Sequence, residues 1–422
     1  MISANNADKT MIAEQGAGVG AGVGEMEASR LREHRGFTWL FVGATLARLS
    51  TEMHSVAVVL FVLAVTHSPQ IAGLTIAAAT LPTVVTGPLA GVWLDRSRHR
   101  RAVFLASPLL LTVAMGGFLV AGHDAPALVW IALGFLAGLP SPVRTGGFSG
   151  LIPTVVPEPI LPRAYGFEAI SYNVAGIAGP AIAGAVAGAA GASWAIVATG
   201  AVAIVSAAVI AQVPIGPVPT QDRHVFAALR AGLGLLWRVR PLRSVTVATT
   251  VGQLWFGLLV LAFPLLAHDL GYARAEGGLL FSVFAIGALV GSVLYARVAE
   301  RVPEEPAMLI GFVLFALALG GIAVAPSLPV ALTAAAVAGL FDGPLLAATL
   351  NLRQRFAPVW LRTQVFTTAA SLKIGAFAVG SALAGPTASW VGARGMLAVV
   401  AGGQIVAVLA ALAVRPLGQS SS

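Results

Sequence analysis

The 422 residues contain no cysteine and only two lysines, Lys9 and Lys373. Without thiols the chain builds no disulfide, zinc–thiolate site or iron–sulfur cluster. Neither lysine sits in a phosphate-binding GxxxxGK(S/T) loop, so ATP hydrolysis by this chain is excluded. Charge of either sign is scarce: Asp, Glu, Lys and Arg make up 10% of the residues, against about 25% in a soluble domain. Long polar loops are missing as well, apart from the N-terminal tail and one central segment. A receptor with a separate sensor domain has nowhere to carry it.

What the chain has instead is apolar length. Hydrophobic residues reach 57%, and runs of about 20 of them recur throughout. Barrel strands alternate in polarity and these runs do not, which leaves an all-α polytopic membrane protein. Twelve spans are expected, at 37–64, 71–94, 102–122, 127–148, 164–189, 192–214, 244–267, 277–298, 306–325, 328–350, 364–388 and 393–414. The first apolar run, from Phe37, is too long and carries too many ionisable groups for a cleaved signal, so it reads as span 1. Before it, GAGVGAGVGE (Gly16 to Glu25) follows no strand and lacks GxGxxG spacing, and reads as linker.

Basic residues set the sidedness. Of 25 Lys and Arg, twenty fall in the tails, the even-to-odd loops and the central segment. Arg274 and Arg394 lie on the opposite side, and Arg48, Arg144 and Lys373 fall inside spans. The positive-inside rule then puts both termini in the cytoplasm, in a plasma (inner) membrane. The net charge of +8 reports topology and anionic lipid, and gives no reason to invoke nucleic acid.

The halves repeat at a constant offset of 201. Gly138-Leu139 matches Gly339-Leu340, Pro157 matches Pro358, Gly179 matches Gly380, Gly184 matches Gly385, and Gly191-Ala192 matches Gly392-Ala393. Six spans per repeat make it a parallel one. The expected organisation is a disordered tail (1–36), a six-helix bundle (37–214), a linker (215–243), a second bundle (244–414) and a short tail (415–422). Within the linker, HVFAALRAGLGLLWRV has the spacing of an amphipathic helix lying at the membrane surface.

Between spans 2 and 3 stands GVWLDRSRHRR, residues 91 to 101. Its Gly91, Asp95, Arg96, Arg100 and Arg101 resemble the GxxxD(R/K)xGx(R/K)(R/K) loop of the major facilitator superfamily, with Arg98 replacing the second glycine. The tract GLPSPVRTGGFSGLIPTVVPEPILPRAYGFEAISYNVAGIAGPAIAG resembles helices 4 and 5 of its drug- and siderophore-exporting branch. There, Gly176, Gly179, Pro180 and Gly184 are similar to the Gly-Pro motif associated with antiporters, with Ala185 replacing its closing glycine. The resemblance implies two six-helix bundles, alternating access, and an Asp95 that meets the start of helix 11, near Thr363, when the cytoplasmic side closes. In the second half Gly287 and Gly291 keep the spacing of Gly87 and Gly91, while Tyr295 stands in place of the acid.

Ionisable groups inside spans are costly and are functional candidates. Glu52, near mid-span 1, is the candidate proton-carrying carboxylate, with Arg48 one turn earlier and His54 two residues on. A static Arg48–Glu52 pair is the structural alternative. Gln253 occupies the position 201 residues after Glu52. Glu168, Asp342 and Lys373 suit a structural or gating role; Asp342 and Lys373 could pair across the halves, and Asp342 is the second proton candidate. Arg144 resembles the family's helix-4 arginine. Asn173, Tyr172, Trp255 and Phe256 are cavity candidates or packing residues.

Three functions remain open. The first is proton-coupled export of small amphipathic molecules. The second is solute import by symport on the same fold. An intramembrane serine protease is the remote third, because GFSG (Gly147 to Gly150) has the GxSG form, yet Ser149 lies far in depth from His54. No cofactor or metal is expected. The expected partners are a small-molecule substrate, protons and the bilayer, with the chain a monomer.

Overall fold

In lipid, a backbone must satisfy its own polar groups, and a helix does so within one segment. The computed structural model describes residues 34–96, 99–122, 124–157, 160–215, 225–298, 301–358 and 362–414. Within these, residues 85–96, 145–146, 162–163, 166, 225–229, 231–232 and 362–364 are taken as backbone only. The described residues are helical, with no strand among them. The first half holds α1 (Arg35–Thr66), α2 (Pro69–Arg96), α3 (Arg100–Val120), α4 (Ala127–Gly138), α5 (Leu161–Ala190) and α6 (Ala192–Ile210). After the linker helix α7 (Val225–Arg238) come α8 (Arg240–Phe256), α9 (Leu259–Asp269), α10 (Gly277–Ala296), α11 (Glu304–Ala323), α12 (Leu328–Phe356) and α13 (Arg362–Ala413).

Among the described residues, nine helices are long and apolar enough to cross a membrane, against twelve expected spans. One of the nine, 365–413, has 49 residues. At 1.5 Å per residue it is about 74 Å long, more than twice a hydrocarbon core of about 30 Å. Its backbone leaves helical geometry at Gly392, φ 66°, between the two spans expected there. α2 has the length for a crossing, but its last turns are known as backbone only.

The fourth span differs most. A continuous helix over 127–148 was expected, yet α4 stops at Gly138 after 12 residues. A five-residue π-helical segment follows at Val143–Gly147, then single turns at Ser149–Leu151 and Ile152–Val155. Pro140 and Pro142 explain the break, since each removes a ladder N–H and crowds the preceding turn. The seventh span, 240–269, is one crossing interrupted only locally: α8 ends at Phe256 and α9 begins at Leu259, with Gly257 and Leu258 still in right-handed helical geometry.

Glycine lets these helices touch backbone to backbone, the usual basis of packing in lipid. A Cβ on Gly138 would stand 1.7 Å from the Ala79 carbonyl oxygen, so α4 lies directly on α2. At the 201 offset, a Cβ on Gly339 would stand 1.9 Å from the Phe284 carbonyl oxygen, where α12 lies on α10. Gly287 and Gly291 face α12 in the same way, against Ala336 and Leu340. The halves meet where α5 packs on α10 and α2 on α13.

The linker helix α7 buries Leu236 against Leu242, Ala357, Val365 and Ala369, while Leu233 and Trp237 point outward. Exposed tryptophans mark both ends of the bundle. Trp39 and Trp237 lie at the linker end, Trp194 and Trp390 at the other, as interfacial belts require.

Candidate functional site

α1 carries two ionisable side chains one turn apart, and the fold sends them to different places. Arg48 is buried and turns to α5, where its Nη2 lies 2.5 Å from Glu168 Oε1. It also donates to Ser171 Oγ, and its guanidinium sits 3.9 Å from the centre of the Tyr172 ring. The Arg48–Glu52 pair considered from the sequence does not form. Ser149, after the broken fourth span, donates to the same Glu168 oxygen, so one carboxylate ties α1, α5 and that segment together. The hydroxyl of GFSG therefore faces a carboxylate, where serine hydrolysis needs a histidine base.

Glu52 instead faces a cavity of about 190 Å³ between the halves. Val56, Val59, Val260, Phe281 and Phe377 give it an apolar lining, and Ser55 is the other polar residue there. The carboxylate is exposed to this space, and among the described residues it has no hydrogen bond or ion pair. Pro180 lines the same cavity. Its neighbour Gly179 packs on α1, and a Cβ there would stand 3.0 Å from the Met53 nitrogen. Gly184 packs on α10, near the Ala275 carbonyl oxygen, whereas Gly176 has open space around it.

Arg144 is buried on the π-helical segment. Its Nε donates to Thr51 Oγ1 at 2.8 Å, and its Nη2 to the Ala137 carbonyl at 3.0 Å. It thereby holds the broken span against α1, one residue from Glu52.

The pairing of Asp342 and Lys373 across the halves that the sequence left open does not form; both belong to the second half. They line a chamber of about 180 Å³ with Thr249, Gln253 and Gln404. They interact electrostatically without reaching the 4.0 Å of an ion pair. Of the aromatic candidates, Phe256 lines both cavities. Trp255 packs over Gly403, and Tyr172 covers Arg48. Asn173 lines neither cavity, its amide donating to Ala169 on its own helix at 2.9 Å. Two residues with roles were missed in the sequence. Arg353, counted there as a loop residue, is buried and donates to Thr249 at 3.0 Å. Gln404 is buried and donates to the Gly252 carbonyl at 3.1 Å.

Of the loop signature, Gly91, Asp95 and Arg96 occupy the last turns of α2, and their side chains lie outside the described residues. Arg100 and Arg101 open α3. Arg100 is buried, and Arg101 donates to the Ala211 carbonyl at 2.7 Å, just past the end of α6.

Two packed sets of apolar helices around a central cavity define a multi-pass membrane transporter of the major facilitator type. Residues 28–421 match the transmembrane secretion effector family of that superfamily, and the chain belongs to it. It is 30% identical over 355 residues to the uncharacterized MFS-type transporter y4rN of Sinorhizobium fredii (strain NBRC 101917 / NGR234), covering 82% of this chain and 87% of that one. With the multidrug efflux pump Tap of Mycolicibacterium fortuitum it shares 28% identity over 339 residues, 75% of this chain and 80% of Tap. The fold is similar to that of the nucleoside transporter NupG, with a TM-score of 0.72 at 11% identity over 90% of this chain and 98% of NupG.

Proposed function

We propose that this transporter is a proton-coupled antiporter that exports small amphipathic molecules by alternating access. One observation carries the reading: a carboxylate without a partner among the described residues, Glu52, lines a cavity between the halves whose other lining is apolar save for Ser55. An apolar wall suits the body of an amphipathic substrate, and a lone carboxylate suits either a proton or a cationic group. Their competition for Glu52 couples export to proton entry. The similarity to the Tap efflux pump supports the outward direction.

In this reading the linker end of the bundle is cytoplasmic, in the inner membrane, and the chain works as a monomer of two six-helix bundles joined by residues 215–243. α2 runs antiparallel to α13, with Gly73 against Ser381 and Gly375 beside Val84. That course supports Asp95 meeting the start of α13 and latching the cytoplasmic side. Asp342 keeps its place as the second candidate acid. Proteoliposomes with an imposed pH gradient test the reading. Substrate accumulation should collapse with the gradient and be lost in Glu52→Gln, whereas accumulation that ignores the gradient would refute proton coupling.

A further inference from the structure

Phe256 stands between two spaces of different character. On one side is the cavity with Glu52, on the other the chamber within the second half, where Asp342, Lys373 and Gln253 share the wall with Phe312, Phe315 and Leu345. Its ring is held against Phe284 and Phe315 at centroid distances of 5.9 and 6.2 Å. Phe256 is the last residue of α8. Gly257 lies so close to α13 that a Cβ there would stand 2.5 Å from the Phe377 carbonyl oxygen.

Antiport through Glu52 makes no use of the chamber, yet the chamber's charges do not balance. Asp342 is its one acid among the described lining residues. Lys373 projects into it, and Arg353 reaches its wall at Thr249 and interacts electrostatically with Lys373. Two basic side chains therefore face one carboxylate in a medium where unbalanced charge is costly. Lys373 makes no ion pair, and Gln253 no side-chain hydrogen bond, among the described residues. Size points the same way. At about 190 and 180 Å³, neither space alone reaches the roughly 300 Å³ at the lower end of drug-sized sites, while the two taken together do.

We infer that the chamber is the second part of the substrate site and binds an anionic group, a carboxylate above all, on Lys373 and Gln253. The substrate's amine then lies at Glu52 and its apolar body crosses beside Phe256. The preferred substrates are zwitterionic amphiphiles. This rests on the reading of the Glu52 cavity as the transport site.

A matched pair of dyes tests it: rhodamine 110, with a free carboxylate, and rhodamine 123, its methyl ester. Binding to the purified full chain in lipid nanodiscs is followed by fluorescence polarisation, and the ratio of the two affinities is read. Wild type should favour rhodamine 110. Lys373→Met should lower the ratio at least tenfold, and Lys373→Arg should restore most of it. Asp342→Asn, which removes the competing acid, should raise the ratio several-fold, a gain that damage to the fold does not produce. No preference in wild type, or a ratio unmoved by Lys373→Met, overturns the inference. The Glu52 reading fails by a different result, a rhodamine 123 affinity that neither Glu52→Gln nor pH alters.

Discussion

Gly179 of α5 rests on Glu52 of α1: a Cβ added to the glycine would stand 2.5 Å from the Cβ of the acid. The Gly-Pro motif and the candidate proton carrier are one contact. Gly179→Leu should push α5 away from Glu52 at an overpacking cost of about 1–3 kcal/mol. Transport should fall much further than membrane abundance, which immunoblotting beside a transport assay would report. Equal loss of both would make the contact purely structural.

Glu52→Gln should leave the protein inserted and able to bind substrate, because an amide fills the same space. It cannot release a proton, so uphill transport should stop while exchange persists, and binding should lose its pH dependence. Wild-type accumulation in this variant would shift attention to Asp342.

Arg48 should behave differently from Glu52, although one helical turn separates them. Removing one member of the buried Arg48–Glu168 pair strands the other, at a cost of about 3–5 kcal/mol. Arg48→Met should therefore lower the unfolding temperature in detergent sharply. The double variant Arg48→Met with Glu168→Met should recover part of that loss. Full thermal stability of Arg48→Met would show that the pair is dispensable.

Asp95→Asn examines the latch. A carboxylate at a partly buried helix N-terminus is worth up to about 2 kcal/mol, and even 1.4 kcal/mol moves a two-state equilibrium tenfold. The variant should express normally, populate the inward-open state more and turn over slowly. Spin-label distances between the ends of α2 and the start of α13 would follow the shift. An unchanged distribution and rate would leave Asp95 as a surface charge.

Sidedness can be read without background, since the chain has no cysteine. Ser421→Cys should resist an impermeant thiol reagent in intact cells and react in everted vesicles. Reaction in intact cells would reverse the orientation.

That the chain is a bundle of apolar membrane helices was legible because long apolar runs have few other solutions, and the broken fourth span has a visible cause in Pro140 and Pro142. The break after Phe256 was not legible, since Gly257 is one glycine among 48. Nor was the partner of Arg48. Residues four apart differ by about 40° around a helix, and that angle separates a side chain buried on α5 from one open to the cavity. Helix rotation depends on packing between distant segments, here Gly179 on α1 and Glu168 on Arg48. Arg353 was misjudged for a related reason: α12 runs to Phe356, six residues beyond the span expected from hydropathy, and carries the arginine inside.

The cavity between the halves has one carboxylate in its described lining, and this has an electrical consequence. Where one proton and one monovalent cation take turns on the same group, each cycle carries no net charge across the bilayer. The membrane voltage, worth about 2.3 kcal/mol per charge per 100 mV, then has no purchase on export. The pH difference alone sets how far a cation is concentrated. A substrate whose amine is balanced by its own carboxylate adds no charge of its own, so the returning proton moves alone and its export does feel the voltage. On the proposed antiport, one fixed charge in this cavity would divide substrates by the force that drives them out.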